Sequence, residues 1–159
     1  MAATSHHLAT AAALDVLRSG GNAVDAAITA SAVLSVVEPH MTGIGGDCFC
    51  LVSRPGQPVW GYNGAGRAAA GIWPARLSGR GYLAGDSIHA VTVPGAVEAW
   101  SAILEAHGRF GLDRALQPAI RGAEAGFPVA PRVAYDWARE INKLRADPGA
   151  RRHYLFDGR

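Results

Sequence analysis

Arg67 is the residue in this sequence whose surroundings most favour ligand binding. It lies in the segment Asn63–Ala68, where its neighbours are too small to cover its guanidinium group. A guanidinium can form two parallel hydrogen bonds to a carboxylate, a geometry that lysine cannot reproduce. The sequence therefore predicts a carboxylate-binding role for Arg67, with an ordinary surface arginine as the competing interpretation. Tyr62 and Asn63 precede it and can add polar contacts.

A glycine-rich segment, residues 38–47, connects a long apolar run to a predicted strand. Three of its residues, Gly43, Gly45 and Gly46, are glycines within a stretch of four. Glycine is needed where φ is positive, or where another backbone or a ligand comes too close for a Cβ atom. A phosphate-binding loop would have to follow a strand and begin a helix. Because the order here is helix, loop and strand, we interpret the segment as a structural turn that can lie near a substrate.

The remaining reactive residue types do not form a recognisable catalytic group. His40 lies beside Glu38 and Asp47, but a single histidine in a turn is more typical of a hydrogen-bonding residue than of a general base. His6 and His7 are adjacent and lack the spacing of a metal-binding pair. The Gly-x-Ser-x-Gly nucleophile motif is missing. The sequence therefore predicts no metal, no cofactor and no catalytic residue in this chain.

Two cysteines lie in the predicted strand after the glycine-rich turn. Cys48 and Cys50 are two positions apart, so both side chains should point to the same face of a strand. This spacing is poorly suited to a mutual disulfide. We therefore expect both to be free thiols that act as small buried hydrophobic residues.

Helices are predicted for the first forty residues, and strands follow them. A first helix should end at Gly20-Gly21. Asn22 can cap a second helix that ends before Pro39 and, with almost no polar face, should be the central buried helix. Residues 48–53 and 59–62 predict a β-hairpin. Residues 89–93 predict a third strand.

The remainder of the chain predicts helices. One should end near Gly108. Asp113 can cap the next, which Pro118 must kink or restart. Pro131 is suited to the first turn of a further helix that carries apolar residues through Leu144. We treat residues 1–159 as one incomplete domain of mixed α and β content.

Composition predicts a folded protein and argues against several partners. The chain has 159 residues, 49% hydrophobic and 18% charged, and its formal net charge is only +2. Charges this balanced do not create a strong field over one face, so nucleic acid and acidic membranes are not expected partners. The most apolar run, residues 23–37, is shorter than a membrane span, and no secretory signal pattern begins the chain. The corresponding expectation is a cytoplasmic location.

A series of strings in this chain resembles the start of the large subunit of the gamma-glutamyltranspeptidase family, also called glutathione hydrolases. The strings, in order, are Thr4–Thr10, Gly20–Ala27, Glu38–Asp47, Val93–Val97, Gln117–Ile120 and Ala125–Val129. They cover nearly the whole chain, and their joint occurrence is more specific than any one of them.

The resemblance implies an α+β fold of the N-terminal-nucleophile hydrolase type, a four-layer αββα sandwich. This chain would supply its helix-rich N-terminal part and a few strands. The implied activity is transfer or hydrolysis of gamma-glutamyl groups, as in glutathione. The implied nucleophile is a threonine freed by self-cleavage, whose amine is the base for its own hydroxyl. It would lie in the downstream small subunit, the partner of this chain.

One departure from the family pattern concerns Arg67. In the best-known members an arginine in an Arg-Glu-x-Ala-Pro string binds the α-carboxylate of the substrate. Here the string reads Ala65-Gly66-Arg67-Ala68-Ala69, with the arginine two positions later. Either Arg67 reaches the same carboxylate from a shifted position, or this protein prefers another acyl group, as the related cephalosporin acylases do. Outside this reaction class, the competing hypotheses are a non-catalytic binding or assembly module and, more distantly, a nucleotide-binding domain.

Overall fold

The computed structural model describes residues 1–72, 77, 83 and 87–157, which divide into two compact units, Met1–Ala125 and Gly126–Arg159. The elements described in the first unit are α1 (His7–Arg18), α2 (Ala23–Val37), β1 (Cys48–Val52), β2 (Trp60–Gly64), a 3-10 turn (Ile88–Ala90), α3 (Ala96–His107) and α4 (Leu112–Ala125). Those in the second unit are α5 (Pro131–Arg139), α6 (Ile141–Ala146) and α7 (Pro148–Tyr154).

Helix α2 is the centre of the first unit, as its composition predicts. It packs against α1, α3 and α4, and nine of its fifteen residues are buried. Asn22 caps it as predicted, because its side chain accepts hydrogen bonds from the N–H groups of Val24 and Asp25. Asp25 accepts a hydrogen bond from the N–H of Asn22 in return, which completes a capping box. Within the described part of the chain, no helix is both long enough and apolar enough to cross a membrane.

Helix α1 begins with an unusual cap. His6 has an extended backbone, and its Nδ1 accepts a hydrogen bond from the N–H of Leu8 at 3.2 Å. The side chain is only 3% exposed, and its Nε2 has no partner among the described residues. At the other end, Gly20 has φ +91, which confirms the predicted glycine stop.

Burial makes His6 sensitive to acid. Loss of solvation lowers its pKa, the adjacent His7 lowers it further, and Glu38 opposes this shift. Protonation of Nδ1 would also remove the acceptor that caps α1. Because the folded state favours the neutral ring, the stability contributed by His6 is present above its ordinary pKa and is lost as pH falls through that value toward the lowered one.

We therefore expect His6→Asn, which keeps a capping oxygen but cannot titrate, to reduce the loss of Tm between pH 7.5 and pH 5. Thermal unfolding of both proteins across this range measures the effect. The exposed neighbour supplies the control, because His7→Asn should leave the pH dependence closer to that of the unsubstituted protein. Parallel Tm curves for the His6 variant and the unsubstituted protein would contradict the assignment.

The predicted hairpin is confirmed. Strands β1 and β2 are antiparallel, with Cys48 opposite Gly64 and Val52 opposite Trp60. Cys48 and Cys50 lie half-buried on one face as free thiols, and burial raises the pKa of both. The opposite face of β1 is exposed, including Phe49 at 69%.

Three element predictions need correction. Residues 89–93 do not form a strand, because Ser87 caps a 3-10 turn and only Thr92 makes a bridge, to Ala68. Helix α4 begins at Leu112, so Asp113 lies in its first turn rather than at its cap. The helix does not restart at Pro118, which lies within it between the buried Ala115 and Ala119. Packing of this face outweighs the hydrogen bond that proline cannot make.

The last predicted helix is also divided. Pro131 lies in the first turn of α5 as predicted, but this helix ends at Arg139, and α6 begins after Glu140. Asp147 then caps α7 by accepting a hydrogen bond from the N–H of Ala150 at 2.7 Å. This second unit is therefore a set of short helices.

Candidate functional site

Three segments of the first unit meet at one point, which we call the crossing. They are residues 46–47 at the end of the glycine-rich turn, residues 64–68 from the last residue of β2 onward, and residues 92–96 up to the first residue of α3. The carbonyl of Gly46 accepts hydrogen bonds from the N–H groups of Gly95 and Ala96, both at 3.0 Å. The N–H of Val93 donates to the carbonyl of Arg67 at 2.9 Å. The crossing is thus held largely by backbone hydrogen bonds between segments distant in sequence.

Asp47 joins all three segments through its side chain. Its Oδ1 accepts hydrogen bonds from the N–H of Gly66 at 2.9 Å and from the hydroxyl of Thr92 at 3.3 Å. These partners lie 19 and 45 positions away in the sequence. No local sequence pattern indicates such distant partners for Asp47.

Two glycines of the crossing are sterically required. A Cβ atom on Gly66 would overlap the carbonyl of Val93, and one on Gly95 would overlap the carbonyl of Gly64. By contrast, Gly43 and Gly45 have no positive φ, and a Cβ atom added to either would have no atom of a non-adjacent described residue within 4 Å. The expectation of a crowded or left-handed backbone is therefore not met at these two positions of the glycine-rich turn.

Arg67 occupies an exposed position on the crossing. Its carbonyl is fixed by Val93, and the preceding N–H group is fixed by Asp47. Its side chain forms no hydrogen bond or ion pair with any residue that the structure describes. A guanidinium on a fixed backbone, with all its N–H groups available to a ligand, is suited to carboxylate binding.

The two polar residues before Arg67 are engaged elsewhere. The hydroxyl of Tyr62 donates to both carboxylate oxygens of Glu98 at 3.0 Å. This hydrogen bond is the main cause that raises the pKa of Tyr62, and partial burial and the negative charge of Glu98 add to it. Asn63 Oδ1 accepts from the N–H of Ala65 at 3.0 Å, a local turn contact. Neither of these hydrogen bonds involves the side chain of Arg67.

The carboxylates near His40 have other partners. Glu38 is 8% exposed and accepts a short hydrogen bond from the Ser5 hydroxyl, which ties the N-terminal segment to the end of α2. Asp47 is engaged by the crossing. His40 is exposed in the turn between them. In the described part of the chain, no group of three or more potential metal ligands comes together.

The sequence model of the gamma-glutamyltranspeptidase family matches residues 9–159. The chain belongs to this family. Among its relatives, the glutathione hydrolase-like YwrD proenzyme of Bacillus subtilis (strain 168) is 39% identical over 150 residues, which are 93% of this chain and 29% of the relative. The resemblance inferred from the ordered strings is thereby confirmed.

Solved structures of this family agree with the observed fold. The gamma-glutamyltranspeptidase of Helicobacter pylori matches with a TM-score of 0.86 and 27% identity, over 99% of this chain and 47% of that one. A cephalosporin acylase from Bacillus halodurans matches with a TM-score of 0.79 and 41% identity, over 87% of this chain and 26% of that one. The chain is a helix-rich member of the N-terminal-nucleophile hydrolases, and it spans less than a third of the YwrD relative.

Proposed function

We propose that the complete protein containing this chain transfers or hydrolyses gamma-glutamyl or closely related acyl groups. In this proposal residues 1–159 form part of a four-layer αββα scaffold, and the threonine nucleophile lies downstream in the small subunit of the same precursor. The family match over residues 9–159 supports the reaction class. The exposed Arg67 on the crossing supports a substrate with a free carboxylate.

The observation that carries this proposal is the contrast between the fixed backbone of Arg67 and its side chain, which has no partner among the described residues. A bidentate pair with a substrate carboxylate would replace water around a guanidinium whose backbone is already fixed, so little ordering of the loop would be needed on binding. The two-position shift of the arginine leaves the acyl group open between gamma-glutamyl and an acylase-type substrate. The 41% identity to a cephalosporin acylase supports an acylase-type substrate as the second candidate.

Substitution of Arg67 tests the proposal. In the complete protein we expect Arg67→Ala to lower kcat/KM for a gamma-glutamyl anilide by about 100-fold, since a charge-assisted bidentate pair contributes on the order of 3 kcal/mol. The substitution should act mainly by raising KM. Arg67→Lys should recover only part of it, because an ammonium cannot reproduce the fork.

A matched substrate separates carboxylate binding from damage to the fold. The unsubstituted protein should discriminate against the anilide whose α-carboxylate is converted to a carboxamide, and Arg67→Ala should lose that discrimination. Arg121→Ala, at another exposed arginine, is the control and should retain normal kinetics. Equal discrimination by Arg67→Ala and the unsubstituted protein would refute the role of Arg67.

A glutaryl anilide, which keeps the carboxylate but lacks the α-amine, distinguishes an acylase-type substrate from a gamma-glutamyl substrate. Absence of turnover with every substrate would favour the non-catalytic module.

A further inference from the structure

Arg67 depends on backbone contacts for its position because its neighbours offer little side-chain packing. Gly64, Ala65 and Gly66 precede it, and Ala68 follows it. The guanidinium itself has no described partner that could hold it in place. A substrate-binding group must be held close to its productive geometry, and displacement by about 1 Å can reduce a rate as much as 100-fold. The hydrogen bonds that fix the backbone on each side of Arg67 therefore help to determine how well its side chain binds substrate.

The contacts around Arg67 form a closed ring. Asp47 Oδ1 accepts from the N–H of Gly66, and the chain continues to Arg67, whose carbonyl accepts from the N–H of Val93. The chain then returns to Thr92, whose hydroxyl donates to the same oxygen of Asp47. Asp47 Oδ1 thus accepts both hydrogen bonds that complete the ring. Asp47 forms no ion pair with Arg67.

We propose that Asp47 is a positioning residue that holds the backbone of Arg67 in register for the substrate carboxylate. This inference rests on the proposed function of Arg67. Both donors that Asp47 accepts from are neutral, so its contribution comes from an acceptor oxygen at this point rather than from pairing with the arginine charge. The substitution Asp47→Asn retains that oxygen but removes the charge, whereas Asp47→Ala removes both. The two variants therefore separate the role of the acceptor oxygen from that of the negative charge.

A double-mutant cycle in the complete protein tests the inference. With a gamma-glutamyl anilide as substrate, we expect Asp47→Ala to raise KM about tenfold with a smaller change in kcat, since it misplaces a binding group. Asp47→Asn should restore KM to within about threefold of the unsubstituted value, because the acceptor oxygen remains. In the Arg67→Ala background, Asp47→Ala should change KM less than about twofold, since coupled residues are not additive.

The outcomes distinguish this inference from the proposed function. If Arg67→Ala leaves KM unchanged, the proposed carboxylate-binding function of Arg67 is refuted, and the inference about Asp47 is refuted with it. If Arg67→Ala raises KM and Asp47→Ala has the same effect in both backgrounds, Arg67 keeps its role and the positioning inference is overturned. An Asp47→Asn variant as impaired as Asp47→Ala would also overturn it.

If Asp47→Ala does not fold, Thr92→Val removes one of the two hydrogen bonds to Asp47 with little change in side-chain shape. Its effect on KM should then depend on Arg67, and an effect independent of Arg67 contradicts the inference.

Discussion

Asp25→Ala is expected to lower the free energy of unfolding by about 4 kcal/mol, since it removes a fully buried carboxylate that accepts hydrogen bonds from three backbone N–H groups. Asp25 is fully buried, and its carboxylate accepts from the N–H groups of Asn22 at 2.7 Å, Arg109 at 2.9 Å and Phe110 at 2.9 Å. It thereby joins the start of α2 to the connection between α3 and α4. An alanine would leave these three N–H groups without this acceptor.

Chemical denaturation followed by tryptophan fluorescence measures this loss. Asp25→Asn should be less damaging, because it keeps one acceptor oxygen. Asp15→Ala is the control for removal of a carboxylate, since the ion pair of Asp15 with Arg18 is exposed, and it should cost less than about 1 kcal/mol. A loss below about 1 kcal/mol for Asp25→Ala would show that the buried contacts do not connect these elements as described.

Gly66→Ala is expected to destabilise the crossing and to impair substrate binding together. The new methyl group would overlap the carbonyl of Val93, so the two backbones must separate. Separation would weaken the hydrogen bonds from Val93 to Arg67 and from Gly66 to Asp47. Two hydrogen bonds and the added strain correspond to about 3 kcal/mol.

Thermal unfolding and the KM of the complete protein measure the two effects of Gly66→Ala. Gly43→Ala is the matched control, because its methyl group would enter open space in the glycine-rich turn. The control should leave both the Tm and KM nearly unchanged. Equal behaviour of the two variants would contradict the close approach at Gly66.

The sequence predicts those features of the fold that arise from neighbouring residues. The Asn22 cap of α2 acts within a single helical turn, and the positive φ of Gly20 follows from the chemistry of a helix end. The common face of Cys48 and Cys50 follows from the two-residue period of a strand. Each of these predictions required only local geometry.

Other features depend on residues far apart in the chain, and local patterns do not reveal them. The acceptor role of Asp25 toward Arg109 spans 84 positions, although its place in the first turn of α2 was predictable. Asp47 meets Thr92 across 45 positions, and this contact forms where the sequence had suggested a continuous strand. The steric need for Gly66 likewise comes from Val93, which the composition of its own segment cannot indicate.

The central claim is that residues 1–159 provide scaffold and a carboxylate-binding arginine while the reactive hydroxyl lies elsewhere in the protein. The most direct test is to treat the complete protein with an electrophilic gamma-glutamyl analogue and to locate the covalent adduct by peptide mass spectrometry. We predict a single adduct on a threonine outside residues 1–159, and its yield should fall in the Arg67→Ala variant. An adduct on a side chain within residues 1–159 would contradict the claim.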